Sequence, residues 1–270
     1  MGAGPFFVAR RTRWGRRLPR MTDDPPAIPA ATLVVMRPAL GLAPPELLVV
    51  ERSAGMAFAA GALVFPGGRV DNADHALAAA LGRPGDAARV TAIRETLEES
   101  AVAVGLGRVD PSRGPALQAA LLAGEPVAEL VKREGLTLDL DSLTLFARWR
   151  PAFAHARRFD TLFFLAAAPA GDWAPVPQPG ECAAAEWAGA AALLARIEAG
   201  TASAIFPTKR NLERLATYRD LTDADADAGR YPIEPIEPWI EQRDGIDLVC
   251  IPPNRGYPVT SEPLATAFRA

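Results

Sequence analysis

Glu95, Glu98 and Glu99 stand at i, i+3 and i+4 in the run Arg94-Glu95-Thr96-Leu97-Glu98-Glu99. On a helix those positions share one face, so three carboxylates would be presented to the same point. Like charges placed so closely repel. Two environments tolerate them: full solvation, the usual fate of a Glu-rich turn, or a divalent cation that neutralises them through hard oxygen ligands.

The surrounding elements favour the second. The run falls within Asp86–Ala101, where Val90, Ile93 and Leu97 recur near helical spacing and Asp86 is placed to cap the start. Upstream, Ala31–Arg37 and Glu46–Arg52 read as strands joined by a loop holding Pro38, Gly41, Pro44 and Pro45. A third short strand, Ala62–Phe65, ends at Pro66-Gly67-Gly68, whose glycines admit a backbone path closed to other residues. An acidic loop with Asp71, Asn72 and Asp74 leads on to the helix. Strand, loop and helix together can cage a metal and a phosphate.

Downstream, helices are predicted over Ala116–Leu122, Val127–Arg133, Ala190–Ala199 and Lys209–Tyr218. Strands are predicted over Ser142–Arg150, Phe159–Ala166 and Ala183–Trp187. Strands interleaved with helices predict an α/β layered fold around a mixed sheet.

These residues resemble the Nudix signature, G-x5-E-x7-R-E-U-x-E-E-x-G-U, with U a bulky aliphatic residue. Gly68 matches the opening glycine, Asp74 takes the place of the first glutamate, and Arg94, Glu95, Glu98, Glu99 and Val102 match the remainder. Thr96 replaces an aliphatic residue and Ala101 a glycine, and the interval from Asp74 to Arg94 is twelve residues longer than in the signature. Insertions are best tolerated in such a loop. The resemblance implies an α/β/α sandwich with a mixed sheet and extra C-terminal helices. It also implies a diphosphatase using Mg²⁺ or Mn²⁺, with Glu95, Glu98, Glu99 and the Gly67 carbonyl as metal ligands. Arg94 would hold one of the glutamates by charge-assisted hydrogen bonds.

A general base outside the helix is often part of Nudix sites. Glu181, six positions before Trp187, reads either as that base or as a solvated glutamate before a strand, and Glu95 is the other candidate base. Glu186 reads as a surface residue. Arg158 belongs to the run Arg158-Phe159-Asp160-Thr161, which is similar to the branch of animal peroxisomal coenzyme A diphosphatases, and is the best substrate contact among His155, Arg157 and Arg158. A second pattern of that branch, L-L-T-x-R-[SA]-x3-R-x3-G-x3-F-P-G-G, is met by Leu48, Arg52, Ser53, Gly61, Phe65, Pro66, Gly67 and Gly68. Val49 and Val50 depart from it, and Ala57 replaces its second arginine. Coenzyme A or acyl-coenzyme A is therefore the leading substrate, with Arg52, Arg158 and Gly68 as substrate-binding residues. The alternatives are another nucleoside-diphosphate derivative, a non-catalytic ligand-binding or regulatory Nudix-like domain, and a helical surface protein of another kind. The last leaves the Phe65–Gly68 turn unexplained.

The totals bound these readings. The chain has 270 residues, 49% hydrophobic and 23% charged, enough for one domain with elaborations and a sizeable core. A formal net charge of -3 gives no general attraction to nucleic acid. No apolar run approaches a bilayer span. Two cysteines, Cys182 and Cys250, make no disulfide framework, and Cys250 reads as a buried strand residue. Trp149, Phe153, Phe159, Phe163 and Phe164 are spaced as sheet core, and His75 and His155 read as non-ligands. Residues 1–24, rich in arginine, are expected to be a disordered extension or to precede the true start, with residues 25–270 forming the domain. The tail is unlike S-K-L, so a cytoplasmic protein is expected, its oligomeric state left open.

Overall fold

The computed structural model describes residues 27–39, 41, 43–56, 59–150 and 158–267. The N-terminal extension, Ala57, Phe153, His155 and Arg157 lie largely or wholly outside them.

In chain order the elements are β1 (Ile28–Arg37), β2 (Glu46–Arg52), β3 (Ala62–Val64), β4 (Gly67–Arg69), α1 (Asn72–Ala80), α2 (Ala87–Ser100), α3 (Gly114–Leu122) and α4 (Val127–Arg133). There follow β5 (Thr144–Trp149), β6 (Phe159–Ala167), β7 (Cys182–Gly189), α5 (Ala190–Glu198), β8 (Ser203–Ala204), α6 (Phe206–Leu215) and α7 (Leu221–Ala228). The described chain ends in β9 (Trp239–Arg243), β10 (Ile246–Cys250), β11 (Ser261–Pro263) and α8 (Leu264–Ala267). Strands β1 to β8 form a mixed sheet in which β1 pairs in parallel with β6 and antiparallel with β4 and the start of β2. On its other side β2 pairs with β7.

Side chains alternate across a strand, and here both faces are covered. Ala31, Leu33, Val35, Leu48, Phe164 and Ala166 face a core shared with α2 and α3, whereas Val34, Met36, Leu47, Val49, Phe163 and Leu165 face one shared with α5, α6 and α7. This is the expected α/β/α sandwich. Trp149, Phe163 and Phe164 are core residues, and both cysteines are buried and unpaired. Among the described residues, no helix is long and apolar enough to cross a membrane.

Three expectations are corrected. The acidic loop and its insertion are largely helical: α1 starts after Asp71, and Ala78 is fully buried. Its apolar face is made mostly of alanines, too small to register as a periodic stripe. Asp86 sits at the start of α2 but caps no backbone group; its carboxylate accepts from Arg83 Nε at 2.6 Å and pairs with Arg89 at 3.2 Å. Beyond the predicted helices, the strand expected at Cys250 is present as β10, but the three-stranded sheet it forms with β9 and β11 was not expected.

That C-terminal part is fastened by Arg214 on α6, whose side chain is 2% exposed. Its guanidinium donates to Asp227 at 3.1 and 2.9 Å. It donates also to the Tyr218 hydroxyl at 2.9 Å. It lies 4.1 Å from the Phe146 ring centroid and 5.3 Å from that of Tyr257. Replacing one partner of a buried ion pair strands the other charge and costs about 3–5 kcal/mol. Arg214→Met, which keeps the aliphatic stem, is expected to lose about that much in urea unfolding; a loss under about 1 kcal/mol would mean the cluster is not a fastening.

Candidate active site

Helix α2 turns Val90, Ile93 and Leu97 into the core and sets Arg94, Glu95 and Glu99 against β4. At the centre is Arg94, its side chain 13% exposed. Asp74 on α1, 2% exposed, takes its Nε at 3.0 Å and a terminal nitrogen at 2.9 Å. The same carboxylate accepts from the Thr91 hydroxyl at 2.8 Å and the Asp71 N–H at 3.0 Å. The other terminal nitrogen of Arg94 reaches Glu95 at 2.7 Å and Glu98 at 3.2 Å. Arg94 therefore holds two glutamates, but its main partner is Asp74, which stands in the place of the signature's first glutamate.

Glu99 is 4% exposed and accepts the Gly67 N–H at 3.1 Å. Both glycines of the Pro66-Gly67-Gly68 turn are needed for space. Neither has a positive φ, which corrects the expectation of a special backbone path. A Cβ on Gly67 would lie 2.5 Å from the Ala31 carbonyl oxygen, and one on Gly68 2.3 Å from a carboxylate oxygen of Glu95. Strand β4 thus runs bare between β1 and the carboxylates, with the Gly67 amide on Glu99 and Gly68 against Glu95.

The electrostatics follow from crowding away from water. Burial, opposed by Arg94, pushes the Glu95 carboxyl up to about 7. Burial and the Glu95 charge push Glu99 up to about 8, against the Gly67 N–H and the charge of Arg52. Glu98 is raised as well, again by burial. Burial works against the charge of Arg94, but Asp74, Glu95 and Glu98 outweigh it and hold the group above its usual range.

Of the other sequence candidates, Arg52 ends β2 close enough to favour ionised Glu99. Glu181 is exposed in the loop before β7, with its carbonyl accepting the Ser53 N–H at 2.8 Å, and its charge raises both Glu98 and Glu99. Arg158 begins β6 beside Ile28, on the opposite side of β1 from β4, and is not among the largest influences on the carboxylates. Glu186 pairs with Arg196 at 2.6 Å, and His75 is exposed on α1. Sequence reading missed Thr91 and Gln118, which carry no signal in spacing, and Cys182, whose thiol is pushed up to about 12 by burial and the Glu99 charge.

The chain was compared with known proteins. A NUDIX hydrolase from Alicyclobacillus acidocaldarius superposes with a TM-score of 0.64 at 30% identity, over 74% of this chain and 96% of that one. The chain belongs to the Nudix hydrolase family. A MutT protein from Methanosarcina mazei gives a TM-score of 0.41 at 14% identity, over 70% of this chain and 93% of that one. No family model matches, nor does any curated protein. As a Nudix hydrolase the protein is a diphosphatase, and enzymes of this family generally use divalent metal ions.

Among the described residues, no three acidic, histidine or cysteine side chains are already gathered as a metal-binding group; Glu95 and Glu98 are engaged by Arg94, and Glu99 by the Gly67 N–H. The donor chemistry nevertheless fits a hard cation: three carboxylate groups on one helix end, each raised in pKa by burial. In the metal-free Nudix protein, Glu95 and Glu99 keep to about pH 7 and 8 the protons that an unfolded chain releases near 4.5. The folded state then binds more protons across that window, so its stability falls as pH rises from about 5 to 8. Thermal melts in chelator should show this fall, and Glu99→Gln should flatten it. An unchanged slope in the variant would show that Glu99 is not the group responsible.

Proposed function

We propose that this Nudix hydrolase cleaves the diphosphate of coenzyme A or an acyl derivative, using Mg²⁺ or Mn²⁺ held by Glu95, Glu98, Glu99 and the Gly67 carbonyl. The observation that carries this reading is the gathering of Asp74, Glu95 and Glu98 on one half-buried arginine, with Glu99 and Arg52 alongside. Glu95 and Glu98, held here by Arg94, would be the residues to hold a cation, and Asp74 holds Arg94 through two bonds of its own. When bound, the cation would neutralise charge on the diphosphate and lower the pKa of a bound water.

The chain's own residues do the rest. Glu181, exposed in the loop before β7 and close enough for its charge to act on Glu98 and Glu99, accepts the proton of the attacking water as general base. Arg52 meets the anionic substrate from the end of β2, and Arg158 is the second candidate contact. Arg94 and Asp74 keep the helix end in register. No covalent enzyme intermediate is required, since water attacks phosphorus.

Support for coenzyme A is the Arg52-Ser53 to Gly68 pattern. The substitution of Ala57 for that pattern's second arginine favours a second reading, hydrolysis of a dinucleotide or nucleotide sugar, which lacks the 3′-phosphate. A cytoplasmic setting and a small-molecule substrate without nucleic acid belong to the same proposal.

Glu98→Gln is expected to lower metal-dependent turnover by about 100-fold or more while leaving thermal stability equal or higher without metal. Near-normal turnover at saturating metal would remove Glu98 from the ligand set. In a panel of coenzyme A, acetyl-coenzyme A, NADH and a nucleotide sugar, kcat/KM should be highest for a coenzyme A species. The products should be 3′,5′-ADP and a 4′-phosphopantetheine, with one ¹⁸O from labelled water on a product phosphate. A higher kcat/KM for NADH or the sugar would select the second reading.

A further inference from the structure

Helix α2 carries the proposed metal ligands, and its last carbonyls have no partner within it. The Leu97 carbonyl is taken by the Ala101 N–H at 2.9 Å. The next three are taken from outside: Glu98 by the Gln118 side chain at 2.9 Å, Glu99 by the Gln178 N–H at 3.3 Å, and Ser100 by the Val176 N–H at 2.8 Å. Val176 and Gln178 belong to the segment that delivers Glu181 to β7. The end of the metal helix and the approach to Glu181 are therefore zipped together.

Gln118 closes the zip. Its amide nitrogen also donates to the Val176 carbonyl, at 2.8 Å, so one NH₂ group bridges helix and loop. Both acceptors are carbonyls, which dictates the orientation of the amide; turned over, it would set oxygen against oxygen. The residue is 4% exposed, and its helix α3 is anchored by buried Leu117 and Leu121. Burying an amide costs hydration that an apolar residue of the same length would not forfeit. Core packing alone would be served by a methionine. Beyond the zip, the Cys182 N–H on the Gln178 carbonyl at 3.0 Å and the Ser53 N–H on the Glu181 carbonyl at 2.8 Å fix the far end of the loop.

We propose that Gln118 is a positioning residue for hydrolysis: its two N–H groups set the distance between the Glu98 end of α2 and Glu181. It acts through Glu181 and touches no substrate, and the inference rests on reading Glu181 as the base. A misplacement of about 1 Å in such a constellation can cost about 100-fold in rate.

The test uses the full chain with Mg²⁺, with coenzyme A and NADH as substrates. Gln118→Met keeps length and volume but removes both donors; Gln118→Asn keeps the amide on a stem one methylene shorter. Each is made alone and together with Glu181→Gln, with circular dichroism and thermal melts to verify folding. Should the Met variant fail to fold, the Asn variant decides. Gln118→Met should lower kcat about 10- to 100-fold and leave KM nearly unchanged, with Gln118→Asn in between. The double variants should be no slower than Glu181→Gln alone, because a base that is gone cannot be misplaced. Normal kcat in both Gln118 variants, or effects that multiply in the doubles, would overturn the proposal. Normal kcat in Glu181→Gln alone would overturn the base assignment itself, and with it the route through which Gln118 acts; that single variant tells the two failures apart.

Discussion

Four acidic side chains crowd round one half-buried guanidinium, and the site is organised around that shortage of positive charge. Buried ion pairs are weak sources of net stability, since desolvation consumes most of the Coulomb gain. What Arg94 supplies is direction. Its planar fork spends two donors on Asp74 and shares the rest between Glu95, Glu98 and the Arg69 carbonyl. A lysine, with a single compact charge, could not hold Asp74 bidentately while reaching the glutamates. Burial, together with the deficit that remains, keeps protons on Glu95 and Glu99, and a divalent cation would fill that deficit.

The second constraint is space. Strand β4 can lie between β1 and the carboxylates only because two successive residues have no side chain. Other departures from the signature are absorbed locally. Thr96, fully buried, gives its hydroxyl to the Ala92 carbonyl at 2.7 Å and leaves its methyl for packing. Ala101, where the signature has glycine, adopts the left-handed conformation with φ 59. That costs about 1–2 kcal/mol. A buried methyl returns about 0.8 kcal/mol, and the smaller freedom of alanine in the unfolded chain returns about 0.4–1 kcal/mol. The exchange is close to neutral, so the substitution leaves the helix end intact.

The sequence was most legible where apolar side chains are large and periodic. The limits of β2 and α4 and the core face of α2 follow from such residues, as do the two-sided burial of β1 and β6. The carboxylate triad and its arginine follow from helical spacing. What escaped detection is of two kinds. Helix α1 packs through alanines, whose pattern is too faint to separate from a loop, and α6 begins three residues before Lys209, at Phe206, because proline suits a first turn. The long-range polar partners, Asp74 for Arg94 and Gln118 for the end of α2, depend on chain segments brought together only by the fold. Asp74 could be guessed from the signature, but no local rule marks a glutamine as a bridge.

Because the bond between Asp74 and Arg94 is made across space, the stretch of chain between them is an open loop of polymer tied at its two ends. Closing such a loop costs entropy that grows only with the logarithm of its length, so going from the signature's interval to this one adds about 0.8 kcal/mol. Folding the added residues into α1, with Ala78 buried, is enough to offset that. The charges of the site are thereby insulated from changes in the segment beside it. Here the enzyme can be remodelled over evolutionary time, lengthened or reshaped between Asp74 and Arg94, without altering any of the groups that do the chemistry.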